Sequence, residues 1–248
     1  MLKLDNVSVR FGGLTALKNV SLQVGTDEIV GLVGPNGAGK TTLFNAISGL
    51  VHPASGRIEF EGVDVLRVPQ YRRARLGLGR TFQIPQPMHQ LTVRENLMVA
   101  QRFGTGGIDE KKIDEVLAFT DLAGKAGRQA ATELALTELK ALEVAKALAT
   151  APKLLLLDEV LAGLESSAKR AFTDMLQRLH DTFRIGILII EHDIETINTL
   201  CPRVAVLNFG ELIADGTPET VFNDSRVVES YTGEPDAGQR QESTGAHA

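Results

Sequence analysis

The segment Gly34-Pro35-Asn36-Gly37-Ala38-Gly39-Lys40-Thr41-Thr42 limits what this chain can fold into more than any other. It fits G-x-x-x-x-G-K-[ST], with Gly34, Gly39, Lys40 and Thr41 at the fixed positions. Glycines let backbone N–H groups converge on phosphate oxygens with no side chain in the way. The lysine meets the outer phosphates, the threonine hydroxyl suits Mg²⁺, and a following helix aims its positive end at the anion. The pattern needs a strand before it and a helix after it. Residues 29–33, uninterrupted by polar side chains, supply the strand, and residues 41–48 supply the helix. The expected ligands are ATP and Mg²⁺.

Residues 154–157 and 187–190 have the same character as 29–33, that of strands buried on both faces. Helical patterns at 92–103, 109–122, 138–150 and 166–183 separate or follow them. The expected fold is α/β, with a mainly parallel sheet covered by helices. Residues 7–11, 20–24 and 57–61 read as further strands, which suits a second, antiparallel β unit. Residues 92–131 carry helical patterns without a strand and predict a helical lobe. After Gly233 the chain turns polar and loses periodicity, so residues 234–248 are expected to be a disordered tail.

Asp158 and Glu159 follow four leucines, which delivers a carboxylate pair to the carboxyl end of a buried strand, where open α/β sheets bind ligands. Asp158 suits a Mg²⁺ shell and Glu159 the activation of water. His192 follows the 187–190 run, and Gln83 follows residues 77–82. Net charge is −5, with no basic stripe, so a nucleic-acid partner is not expected. Arg72, Arg73 and Arg75, the densest basic group, read as a solvated helix face. No apolar run approaches the roughly 20 residues that cross a bilayer.

The order aromatic Phe11, phosphate loop, Gln83, acidic pair, His192 resembles the ATP-binding cassette family over residues 2–233, with 92–150 as its helical subdomain. The resemblance implies that Phe11 stacks on adenine, that Gln83 joins the Mg²⁺ and water shell with Thr41 and Asp158, that Glu159 is the catalytic base, and that His192 contacts the γ-phosphate. It also implies a homodimer, or a heterodimer with a related ATPase subunit, carried by transmembrane permease subunits on the inner face of the cell membrane. The segments RFGGLTALKNVSL, LTVRENLMVA and VVESYTG narrow the likeness to ATPase subunits of branched-chain amino acid importers. Those of lipopolysaccharide transporters share much of the pattern, and a low-turnover regulatory ATP-binding module stays open.

One motif departs from the family. Its L-S-G-G-Q signature, contributed by a second copy and placed over the γ-phosphate, reads Leu134-Ala135-Leu136-Thr137-Glu138 here. Ala135 lacks the hydroxyl, Leu136 and Thr137 replace glycines, and Glu138 brings a negative charge toward phosphate. Ala135, Thr137 and Glu138 remain the residues expected to meet nucleotide across a dimer. Val160 and Glu165 stand where proline and aspartate are usual. Residues 84–91, with two prolines among Ile84, Met88 and Leu91, are expected to form an irregular loop that either packs on the core or receives a permease helix.

Overall fold

The apolar strands are buried on both faces because two layers sandwich them. In the computed structural model, which describes residues 1–232, a six-stranded sheet runs in the order β10-β9-β3-β8-β7-β6. Its strands are β3 (Ile29–Val33), β6 (Leu78–Arg80), β7 (Leu154–Asp158), β8 (Gly186–Ile190), β9 (Arg203–Asn208) and β10 (Glu211–Gly216). All pairings are parallel except β9 with β10. Alternate residues of these strands enter two separate cores. Leu155, Leu157, Ile187 and Ile189 face one core. Leu154, Leu156, Leu188 and Ile190 face the other. Fully burying one such side chain is worth about 1.5–3 kcal/mol, so charge is excluded along the strands and tolerated at their ends.

The second core lies under α1 (Lys40–Ser48) and an antiparallel sheet of order β2-β1-β4-β5. These strands are β1 (Leu2–Phe11), β2 (Leu14–Val24), β4 (Ser55–Phe60) and β5 (Val63–Asp64). β1 and β2 are longer than their sequence patterns imply. Asn6 and Asn19 take left-handed backbone at φ 49 and 48, and the β1–β2 register shifts between Leu4 and Val7. Such irregularities break the period-2 alternation that a sequence reading follows. β5, β6, β9 and β10 go beyond the sequence expectation. β5 and β6 are too short to show a period, and β10 is only half-buried.

Residues 92–131 form helices as expected. Thr92 caps α3 (Val93–Thr105) in a box with Glu95, and Asp109 caps α4 (Glu110–Phe119). A 3₁₀ turn (Ala123–Lys125) and the short α5 (Ala130–Glu133) lead to α6 (Leu136–Ala149). α7 (Ser166–Phe183), α8 (Ile194–Leu200), α9 (Pro218–Phe222) and α10 (Ser225–Thr232) complete the described residues. The tail expected over 234–248 lies outside them. No helix among the described residues is long and apolar enough to cross a membrane.

The arginine cluster corrects its expectation. It sits on α2 (Gln70–Arg75), but Arg73 is buried. Its Nη1 donates to Ala46 O at 2.9 Å and Ile47 O at 2.7 Å, and its Nε donates to Val68 O at 2.9 Å. The Ala46 and Ile47 carbonyls lie in the last turn of α1, where no further helical turn supplies N–H donors, and the Val68 carbonyl lies just before α2. Arg72 and Arg75 are exposed, as expected.

Candidate functional site

Gly34, Gln83, Glu159 and His192 all stand just beyond the carboxyl ends of parallel strands, after β3, β6, β7 and β8 respectively. One edge of the sheet therefore collects residues far apart in sequence. Gly34 leaves β3 at φ 145, where an added Cβ would lie 2.0 Å from Leu207 O. Gly39, at φ 107 before α1, would put its Cβ 2.8 Å from Ala16 O. Only glycine fits either position.

Lys40 is buried, and its Nζ donates to Gly34 O at 2.7 Å and Pro35 O at 3.0 Å. Burial pulls its ammonium below the usual lysine value, while Glu159 and then Asp158 pull it back up. The loop thus wraps a cation that faces two carboxylates. Asn36, Gly37, Ala38, Gly39, Lys40, Thr41 and Thr42 line one open cleft of about 610 Å³ with Phe11, Glu159 and Phe209. Phe11 is 50% exposed there, on the rim. Phe209, which the sequence reading passes over, is also exposed.

Three residues selected from sequence meet at one carboxylate. Gln83 Nε2 donates to Glu159 Oε2 at 2.6 Å, and His192 Nε2 lies 2.9 Å from Glu159 Oε1. Glu159 itself takes left-handed backbone at φ 49, a strained conformation for a non-glycine residue. Two bonds hold it so. Its N–H donates to Ile190 O at 3.0 Å, and its carbonyl accepts from Lys140 Nζ at 3.1 Å. Lys140 lies on α6 and is buried.

Asp158 is buried beside Arg80, whose Nη2 donates to its Oδ2 at 3.3 Å. Burial pushes the Asp158 carboxyl up, and Arg80 opposes that shift. Glu191 is buried too and is pushed up to about 7, chiefly by burial, although its Oε1 accepts from Leu161 N at 2.9 Å. Arg80, Lys140 and Glu191 are missing from the sequence selection. The available signal was a charged residue interrupting or ending an apolar run.

Ala135, Thr137 and Glu138 are not brought to this cleft. Thr137 and Glu138 line a separate hollow of about 210 Å³ with Lys125 and Phe172. Leu136, 45% exposed, projects from the first turn of α6. The Glu138 charge, expected from sequence to oppose phosphate, is partly neutralised within the chain. It pairs with Lys125, and its Oε2 accepts from Ala135 N at 2.9 Å. Changing Glu138 to Gln keeps that cap and frees the Lys125 ammonium, a net gain of one positive charge. MgATP-dependent dimerisation is expected to tighten, more at low salt than at high salt because screening weakens the effect. Sedimentation across an ionic-strength series checks this. An affinity unchanged at every salt level would show that the loop meets no phosphate.

Residues 17–162 match the ABC transporter family, and residues 211–237 match the branched-chain amino acid ATP-binding cassette transporter family. The chain is 36% identical to the high-affinity branched-chain amino acid transport ATP-binding protein LivG of Salmonella typhimurium, over 94% of this chain and 98% of that protein. It is also 36% identical to the lipopolysaccharide export system ATP-binding protein LptB of Haemophilus influenzae, over 94% and 98%. A solved ATP-binding cassette of an ABC transporter in its ADP conformation superposes with a TM-score of 0.85 at 31% identity, covering 94% of this chain and 99% of that one. With the phosphate loop, the acidic pair and their partners assembled on one sheet edge, this chain belongs to the ATP-binding cassette family as the ATPase subunit of a transporter.

Proposed function

We propose that this chain hydrolyses MgATP as one half of an ATPase dimer that powers a membrane importer of branched-chain or related amino acids. The observation that carries the reading is the convergence of Gln83 and His192 on Glu159 beside the lysine of the phosphate loop. Thr41, which lines the cleft, and Asp158, buried at the end of β7, carry oxygen donors of the kind Mg²⁺ takes while keeping waters and phosphate oxygens in its shell. Bound there, Mg²⁺ would neutralise phosphate charge. Lys40 would hold the outer phosphates and Phe11 would stack on the base. Glu159 would accept a proton from the attacking water, with Gln83 and His192 orienting its two oxygens. Residues 92–150 would serve as the helical subdomain, and Ala135, Thr137 and Glu138 would reach the nucleotide of a second copy.

The cargo reading rests on the match over residues 211–237. Identity to LptB equals that to LivG, which favours lipopolysaccharide export as the second reading. Leucine-stimulated ATPase in proteoliposomes holding the cognate permease and binding protein tests this. Stimulation by lipopolysaccharide and not by leucine would reverse the choice.

The permease would rest beside Gln83. Residues 84–91 form no helix or strand, and Ile84 is 71% exposed. Met88 lines a cleft of about 330 Å³ with Phe82, Ala100 and Ala147. The loop is held from below, since Gln86 N donates to Glu143 Oε1 and Lys146 Nζ donates to Gln86 O, each at 2.7 Å. Met88→Glu is expected to leave the melting temperature and basal ATPase of the isolated subunit unchanged, and to prevent co-purification with the permease. A mutant that unfolds alone would place Met88 in the core, and normal assembly would end the docking idea.

A further inference from the structure

We propose that Arg80 is a positioning residue that fixes the Asp158 carboxylate against the far end of the phosphate-loop helix. The inference deepens the reading above and rests on its placement of Mg²⁺ beside Asp158. Arg80 ends β6 and pairs in register with Leu156 of β7. Its guanidinium spans two elements. Nη2 donates to Asp158 Oδ2 at 3.3 Å, and Nη1 donates to Ser48 Oγ at 2.6 Å. Ser48 passes the connection on, because its hydroxyl donates to Phe44 O at 2.8 Å. The guanidinium lies 5.8 Å from the Phe44 ring centroid and 5.1 Å from that of Phe82.

Stability does not account for this arrangement. The Arg80 and Asp158 side chains are only 8% and 5% exposed, and Arg80 Nε is buried with no hydrogen-bond partner. An unsatisfied buried donor destabilises the fold. Apolar residues of similar volume are commonly as stable as a buried ion pair. What the pair supplies is geometry. α1 begins at Lys40 and Thr41 and ends at Ser48, so Arg80 ties Asp158 to the same rigid rod that carries the threonine hydroxyl. Among the described residues the carboxylate accepts through Oδ2 alone, which leaves Oδ1 for the metal shell. Phe82 directly precedes Gln83, so the same guanidinium also seats the segment that presents the glutamine. Lysine can reach Asp158 or Ser48 but lacks the planar fork that meets both.

The test is the Mg²⁺-dependent gain in ADP affinity, measured by calorimetry in EDTA and again in excess Mg²⁺. Arg80→Lys and Arg80→Met are expected to lose about tenfold of that gain, equivalent to about 1.4 kcal/mol. Their affinity in EDTA should stay within about twofold of the wild type. Ser48→Ala, which removes only the anchor, should lose about threefold in the same direction. If Arg80→Met melts early, Arg80→Lys and Ser48→Ala carry the test. Equal losses in EDTA and in Mg²⁺ would reveal a merely structural role and overturn the proposal. A folded Arg80→Lys that keeps the full gain would overturn it as well. A wild-type chain with no Mg²⁺ gain would instead overturn the placement of the metal at Asp158, and the proposal with it.

Discussion

Glu159→Gln is expected to bind MgATP as well as the wild type and to lose at least about 100-fold in turnover. The substitution keeps shape. The carboxamide can still accept from Gln83 Nε2 through its oxygen and can donate through its nitrogen to His192 Nε2 once the imidazole carries its proton on Nδ1, so both neighbours remain in place. The backbone at φ 49 is as costly for Gln as for Glu, and the bonds to Ile190 O and from Lys140 Nζ involve only main-chain atoms of residue 159. What disappears is proton affinity. A positioned general base contributes about 10²–10⁴-fold, so the expected loss matches the removal of one such group. Single-turnover hydrolysis measures it directly, and size-exclusion chromatography in MgATP should show a larger dimer fraction than the wild type. Turnover within about threefold of the wild type, a barrier change under about 1 kcal/mol, would show that Glu159 is not the base.

Lys40→Ala is expected to abolish measurable nucleotide binding while the fold survives. Lys40 Nζ bonds only carbonyls of its own loop, Gly34 O and Pro35 O, and its side chain belongs to neither apolar core. Its loss therefore leaves both apolar cores intact and removes only the packing of its own methylene stem. A net hydrogen bond is worth about 0.5–1.5 kcal/mol, and relief of a buried charge offsets part of that. The melting temperature should fall by no more than about 4 °C for a chain of this size. The ligand loses more, because phosphate charge in a cleft that also holds Glu159 loses the ammonium wrapped by the loop, and Lys18 on the same cleft is already paired with Glu211. Calorimetric titration with MgATP and thermal melting of the same sample separate the two effects. Unchanged affinity would remove the phosphate-loop assignment.

How much of this was legible beforehand follows from which forces act locally. The phosphate loop could be read because φ 145 at Gly34 and φ 107 at Gly39 demand glycine, and that demand is written in the residue itself. The buried strands could be read because two cores need apolar residues at four successive positions of β7 and of β8. Glu159, Gln83 and His192 could each be proposed, and the family resemblance implied one nucleotide site for them, but their direct contacts with one another could not be read from local pattern. They depend on β6, β7 and β8 lying side by side, a long-range fact of sheet order. Arg73 looked like its neighbours Arg72 and Arg75 because nothing within six residues of α2 reveals that the end of α1 lies beneath it. The partnership of Glu138 with Lys125 was hidden for the same reason, since it joins two turns of the helical lobe across space. Irregular strands were read too short, because Asn6 and Asn19 interrupt a period that packing then resumes.

The bond from Lys140 to the Glu159 carbonyl bears on how two nucleotide sites in a dimer would exchange information. Lys140 sits one turn into α6, the helix whose opening residues would face the partner's nucleotide, while Glu159 would act on the nucleotide of its own chain. A ligand that shifts α6 therefore tugs on the backbone of the residue working at the other site. In that arrangement the two occupancies would be thermodynamically linked inside each protomer, before any contact between protomers is counted. Because the link is a single charge-assisted hydrogen bond, worth about 1.5–3 kcal/mol, it sets a ceiling of roughly 10- to 150-fold on the cooperativity this route can transmit.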